Sequence, residues 1–400
     1  MDALVCEKVD QAVALLDEFE VDAWLTFVRE TSATGESVIP MILGRHLTWQ
    51  SALILTRRGE RIAIVGNYDA DLVRDSGAWR DVVTYVQDIR DPLRDALSRL
   101  NPARIAVNFS RDDFIADGLS HGLWLLLHDY LSGTPFADRL VSAERIVGAL
   151  RGRKSAAEVQ RIRDVVRETE QIFEEAGRFL APGRTEAEVA AFMQSVARRR
   201  GLELAWDATG CPIVNAGPES AIGHAVPSTS IRIEPGHVVH IDFGVRRGLF
   251  CSDLQRCWYV PRPGESQPPH RVQQAFDAVV ASIDAASLAL RPGVEGWQVD
   301  AAARNRLLEL GYPEYQHGTG HHLGRAVHDG GGTLGPRWER YGQTPYRKVE
   351  AGNVFTLELG VYSNGEHGAI GLEEDVLVAA DGVEWLSTPQ RRLWTIRSKD

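Results

Sequence analysis

A chain of 400 residues with 44% hydrophobic and 25% charged content reads as a soluble globular protein, long enough for two domains. Its formal net charge of −11 argues against nucleic acid or an anionic membrane as a general partner. Charges in the opening MDALVCEKVDQ, the lack of any apolar segment of about 18 residues, and four cysteines without CxxC spacing speak against a secretory signal, a membrane span, a disulfide framework or a zinc knuckle, so a reducing, cytoplasmic location is expected.

Residues 1–150 alternate helical and strand patterns, which reads as a mixed α/β domain. Apolar residues recur at helical spacing over 4–20. Short apolar runs follow at Ala23–Phe27, Ala52–Thr56, Arg61–Val65 and Ile105–Val107. Arg57, Arg58, Gly59 and Glu60 join the second run to the third as a hairpin. A further helix is expected over Asp113–Tyr130. This half carries no phosphate loop and no clustered nucleophile.

A boundary near Arg145–Ser155 divides the chain into domains 1–150 and 151–400. The basic run RGRK precedes Ser155 and Glu158, a capping box that opens a helix. Val159, Ile162, Val165, Val166, Ile172, Phe173, Ala176, Phe179 and Leu180 mark its apolar face, and Pro182-Gly183 stops it. Thr185 and Glu188 form a second capping box, opening a helix to about Arg200.

The second domain repeats itself. A shift of 110 positions lays Ile162 on Val272, Ala176 on Ala286, Leu180 on Leu290, Pro182-Gly183 on Pro292-Gly293 and Val189 on Val299. A shift of 116 lays IEPGHVVHIDFGV, from Ile233, on VEAGNVFTLELGV, from Val349. Asp242 then falls on Glu358 and Gly244 on Gly360. A pseudo-two-fold domain with two equivalent acidic strands around one centre accounts for this.

Between and beside those strands lies HGTGHHLGRAVHD, His317 to Asp329. Glycines 318, 320 and 324 exclude a helix, so it is loop or short extended structure. Asp242 sits in an apolar strand whose alternation puts His240, Asp242 and Gly244 on one face. A tight hairpin turning between Arg247 and Gly248 would set Asp242 directly opposite Asp253, with Cβ atoms about 4.5–5.5 Å apart. The favoured turn dipeptide Asn364-Gly365 would do the same for Glu358 and Glu373. Like charges that close in apolar strands need a cation between them. For Glu374 and Asp375, at least one is expected to be an ordinary exposed strand residue. Four carboxylates and one histidine of the 317–329 stretch suit Mn²⁺, with Co²⁺ or Zn²⁺ as alternatives. Two such ions can bridge a water, lower its pKa and supply a nucleophile.

Residues 155–378 resemble the pita-bread metallopeptidases, and the whole chain is similar to the Xaa-Pro dipeptidase (prolidase) and aminopeptidase P group. The resemblance implies a creatinase-like mixed α/β domain followed by a pita-bread catalytic domain, an α/β fold of α+β type. It also implies a homodimer whose first domain overhangs the partner's site. It assigns the two-metal ligands to Asp242, Asp253, His321, Glu358 and Glu373. It places His224, in NAGPESAIGHA, and His328, in the VHD triplet, on the substrate side, hydrogen-bonding the carbonyl oxygen and delivering a proton to the leaving nitrogen. His317 becomes a supporting or substrate-binding residue, Glu358 also the general base or water-orienting group, and His322 structural. His46 and Trp49 lie near where relatives reach across the dimer, and are read as ordinary loop and core residues.

The chain departs from the family at four places. Phe250 stands for a usual tyrosine, Gln255 for a threonine, Leu359 for a proline and Gly371 for an arginine. None removes a ligand, and they bear on proline selectivity more than on hydrolysis. The expected activity is therefore hydrolysis of Xaa-Pro bonds in small peptides, dipeptides first. An aminopeptidase acting on longer peptides is the alternative. A catalytically inactive binding protein on the same fold, or a metal-free creatinase-like C–N hydrolase, would have been expected to lose part of the acidic set.

Overall fold

The computed structural model describes residues 3–223 and 225–396. The chain forms two compact units, Met1–Arg151 and Gly152–Asp400.

The first unit is built on six strands, β1 (Ala23–Val28), β2 (Ser51–Thr56), β3 (Arg61–Gly66), β4 (Asp81–Tyr85), β5 (Ile105–Val107) and β6 (Leu140–Ser142), in the order β4-β3-β2-β1-β5-β6. β1–β2 and β2–β3 pair antiparallel, while β3–β4, β1–β5 and β5–β6 pair in parallel. The continuous apolar runs of β1 and β2 have both faces covered. Trp24, Val28, Leu53 and Leu55 enter one core with Val9, Leu16 and other residues of the Ala3–Glu18 helix, and Leu25, Phe27, Ala52 and Ile54 enter another with Leu93, Leu97 and Leu127. The helix expected over Asp113–Tyr130 is broken into a 3₁₀ turn, Phe114–Ala116, and a helix, His121–Leu131, capped by Ser120. Asp117 and Gly118, both poor helix formers, fall between them, and a Cβ at Gly118 would meet the buried Glu36 carboxylate.

The second unit has its long helices at Ala156–Phe179, Glu186–Arg199, His270–Ala289 and Gly296–Glu309. Both capping boxes form, and a third, Glu295 with Gln298, sits at the repeat-equivalent of Thr185 and Glu188. The halves repeat in hydrogen bonds as well. Gly183 N–H donates to Ile233 O and Gly293 N–H to Val349 O, both at 2.8 Å, and both glycines are left-handed, at φ 87° and 91°.

Its strands are β7 (Glu203–Leu204), β8 (Ile213–Ala216), β9 (Val238–Phe243), β10 (Val245–Arg247), β11 (Phe250–Cys251), β12 (Leu254–Tyr259), β13 (Gly320–His321), β14 (Thr333–Leu334), β15 (Val354–Val361), β16 (Ile370–Val378), β17 (Val383–Trp385) and β18 (Trp394–Thr395). The main sheet runs β15-β16-β12-β9-β8, so two hairpins, β9–β12 and β15–β16, meet where β12 pairs with β16. On β15 and β16, Leu357, Leu359, Leu372 and Val376 bury into one apolar cluster with Phe276, Val279 and Ile283. Alternation turns Glu358 and Glu373 to the opposite face.

Candidate metal centre

One row of paired residues crosses the main sheet. Ile213 pairs with Asp242, Asp242 with Gln255, Gln255 with Glu373 and Glu373 with Glu358. Glu358 and Glu373 are thus directly opposed, as the hairpin reading required. The connection between them is longer than a two-residue turn. Their strands end at Val361 and begin again at Ile370, and a 3₁₀ turn, Gly365–His367, fills the loop.

Asp242 and Asp253 are not directly opposed. The hairpin turns on Gly248 and Leu249, with Arg247 pairing Phe250, so Asp242 faces Gln255 and Asp253 lies two positions nearer the turn. The reason is the backbone of Leu249, held left-handed at φ 73° beside Gly248 at φ 54°, which closes a two-residue turn one place later than the midpoint of the aspartates. Their carboxyls still lie close enough for the Asp242 charge to raise Asp253.

The 317–329 stretch runs beside β15. Glu358 N–H donates to Thr319 O at 2.7 Å, and His321 N–H to Thr356 Oγ1 at 3.2 Å. Gly320 permits this approach, because a Cβ there would stand 2.0 Å from Thr356 O. Buried ion pairs hold both ends. Arg304 grips Asp300 through two bonds of 2.8 Å and donates to Tyr315 O and His317 O, while Asp300 accepts from Thr319. Lys154 lies 3.0 Å from Asp329, which accepts from Ala326 N–H.

His321 Nε2 consequently lies 3.6 Å from Asp253 Oδ2, 3.7 Å from Glu358 Oε1 and 3.8 Å from Glu373 Oε1. Ligand atoms of Asp253, His321 and Glu373 lie within 4.8 Å of one another. Burial pushes Asp242 up to about 7. Burial, then the charge of Asp242, pushes Glu358 up to about 8. Burial first and neighbouring carboxylates second raise Asp253 and Glu373 well above the carboxylate range. His321 is driven down to about 3, chiefly by burial. Among the described residues, Asp242 Oδ1, Asp253 Oδ1 and Glu373 Oε1 are buried with no hydrogen-bond partner. Unpartnered buried acceptors of this kind cost about 1–3 kcal/mol each. Four carboxylates with one neutral imidazole are the donor set of a hard or borderline divalent cation, and the free lone pairs fit one.

The ring of His328, which is exposed, packs edge-on against His321 with centroids 4.3 Å apart. His317 Nε2 lies 2.6 Å from the Tyr362 hydroxyl. His224 lies outside the described residues. His322 is buried against Phe355. In the first unit His46 and Trp49 are both exposed, Trp49 at 51%, so neither is a core residue.

The expectation that Glu374 or Asp375 is exposed is wrong for both, because β16 is interior to the sheet and covered on either side. Glu374 forms a two-bond ion pair with Arg256, at 3.1 and 3.0 Å, and Asp375 accepts from Asp253 N–H at 3.2 Å. Sequence reasoning also missed Tyr362, whose phenol is raised by burial and by Glu358, Glu373 and Asp242. The signals were modest: Asp375 shares a strand face with Glu373, and Tyr362 follows Glu358 by an even number of residues.

Metallopeptidase family M24 matches residues 160–380, all within the second unit. An Xaa-Pro dipeptidase of Pyrococcus horikoshii is 32% identical over 216 residues, 54% of this chain and 56% of that protein. An uncharacterized peptidase of Bacillus subtilis is 30% identical over 244 residues, 61% of this chain and 64% of that protein. The matched stretch thus spans less than two thirds of either relative. Solved structures match over nearly the whole chain. The X-Pro aminopeptidase of Thermotoga maritima superposes with a TM-score of 0.72 at 25% identity, covering 97% of this chain and 99% of that one. The dipeptidase PepE of Mycobacterium ulcerans superposes with a TM-score of 0.76 at 25% identity, covering 99% of each chain.

Proposed function

Because the chain belongs to metallopeptidase family M24, we propose that it hydrolyses Xaa-Pro peptide bonds, dipeptides first, with two divalent cations, Mn²⁺ by preference. The observation that carries this reading is the set of carboxylate oxygens of Asp242, Asp253 and Glu373, unpartnered among the described residues and gathered beside a histidine that burial keeps neutral. Asp242, Asp253, His321, Glu358 and Glu373 would hold the cations. When bound, these would lower the pKa of a water and polarise the scissile carbonyl.

The chain's own groups then divide the work. Glu358 is less buried than Glu373, and is placed to take the proton of the attacking water. As the carbon–nitrogen bond breaks, the proline nitrogen takes a proton in turn. His328, exposed and packed on His321, is the group to hydrogen-bond the peptide and pass that proton on. His224 is assigned to the same substrate side by resemblance. His317, bonded to a Tyr362 hydroxyl that feels the Glu358 charge, would support the site or the substrate from that side. The reading takes 1–150 as a creatinase-like domain and the protein as a cytoplasmic homodimer.

The test is turnover of Leu-Pro and Gly-Pro by Mn²⁺-loaded protein against a chelated control. Metal-loaded protein that cleaves no Xaa-Pro peptide rejects the proposal. Faster cleavage of Leu-Pro-Xaa tripeptides than of Leu-Pro would favour the aminopeptidase reading, which the Thermotoga structure makes worth assaying.

A further inference from the structure

The centre of the carboxylate row is a neutral amide. Gln255 pairs with Asp242 on one side and Glu373 on the other. Its Nε2 donates to Glu373 Oε2 at 3.1 Å and to Glu358 Oε2 at 3.4 Å. The other oxygen of each glutamate, Oε1, faces His321 Nε2, and Glu373 Oε1 has no hydrogen-bond partner among the described residues. One amide thus occupies one oxygen of both glutamates and leaves the other oxygen of each turned to the same point.

The amide is itself held. Gln255 Oε1 accepts from His240 Nε2 at 2.8 Å, which places the single proton of the neutral imidazole on Nε2. Nδ1, without a proton, lies 3.0 Å from Asn215 Oδ1, and the Asn215 amide nitrogen donates to Ala221 O at 2.9 Å. Asn215, His240 and Gln255 are all buried. They form a side-chain line across β8, β9 and β12 that ends on the two glutamates. Gly371, on β16, makes room for it. A Cβ there would stand 2.7 Å from Gln255 Oε1 and 2.8 Å from His240 Nε2.

Resting on the two-cation reading, we propose that Gln255, held by His240 and admitted by Gly371, is a positioning residue that fixes which oxygen of Glu358 and of Glu373 is presented to the cations. The physical reason is that a carboxylate can rotate, and two opposed carboxylates gain by turning apart. A donor shared between them removes one oxygen of each from that freedom and orients the other.

Two variants test it. Gln255→Met keeps the length and removes the amide. Gly371→Ala keeps the amide and pushes its flexible end aside. Each is titrated with Co²⁺ by calorimetry, and the d–d absorption of the cobalt form is recorded, with a thermal melt of the chelated protein as the check on folding. Both variants should fold, bind Co²⁺ at least ~10-fold more weakly, the loss typical when a partner that orients a ligand is removed, and show a changed d–d spectrum. Wild-type affinity and spectrum in both variants, with or without a lower melting temperature, would make Gln255 a merely structural residue and overturn the proposal. If Gln255→Met does not fold, Gly371→Ala decides alone. Wild-type protein that binds no Co²⁺ or Mn²⁺ would overturn the two-cation reading itself, a separate result from normal binding by both wild type and variants.

Discussion

Glu358 and Glu373 are opposed on neighbouring strands and share one amide donor, yet their surroundings differ. The Glu358 side chain is 21% exposed and that of Glu373 is 2% exposed. A proton-transfer group must be reachable by water and substrate, whereas a purely ligating carboxylate need not be. Glu358→Gln removes the base while keeping shape and one acceptor oxygen. Its kcat on Leu-Pro should fall by at least ~100-fold, the lower end of what a positioned acid or base contributes, while the protein still binds Mn²⁺, more weakly. A kcat within a few fold of wild type would move the proton-transfer role to another residue. Gln255 shows how far such roles hide from sequence. It was visible as a departure from a usual threonine, but its contacts to Glu358, Glu373 and His240 exist only once four strands lie side by side.

Elements were legible where their causes are local. The Ser155 and Thr185 capping boxes mark helix starts because donor and acceptor are three residues apart. The Glu358–Glu373 register was legible because alternation in two long apolar strands leaves little choice. The Asp242–Asp253 register was not, since its turn depends on a left-handed Leu249, a residue no turn rule favours there. β4 escaped notice because its DVVTY run is largely exposed and carries little apolar pattern. The His317–Asp329 stretch was recognisable by composition, but what holds it lies outside it, in the Asp300–Arg304 pair on the preceding helix and in Lys154, paired with Asp329. The Lys154–Asp329 pair is buried on both sides, with side chains 1% and 2% exposed. Lys154→Met would strand the Asp329 charge, and removing one partner of such a pair costs about 3–5 kcal/mol. Urea unfolding of the second unit should show that loss, and adding Asp329→Leu to Lys154→Met should recover part of it. A single variant as stable as wild type would mean that the loop is held by something else.

At the scale of the whole molecule, the formal charge of −11 is unevenly placed, because Asp242, Asp253, Glu358, Glu373 and Asp375 converge inside one unit. Burial raises all five above their ordinary range, Asp242 to about 7 and Glu358 to about 8. A carboxyl whose folded pKa exceeds its unfolded value of about 4 binds protons more readily in the fold. Its contribution to stability is complete below about pH 4 and is lost as pH rises through the folded value. Chelated protein should therefore melt at progressively lower temperature as pH is raised from about 5 to about 8.5. Cations reverse the sign of the argument. They bind the ionised carboxylates, so their affinity grows as those protons leave. At 100 times the dissociation constant a cation that binds only the fold adds about 2.7 kcal/mol, roughly 5–10 °C for a unit of this size. The gap between Mn²⁺-loaded and chelated melting temperatures should thus widen steadily with pH, read by differential scanning calorimetry of the same preparation. A gap that narrows as pH rises, or a chelated protein that gains stability with pH, would mean that the carboxylates are paired within the protein and that no cation is needed to hold them together.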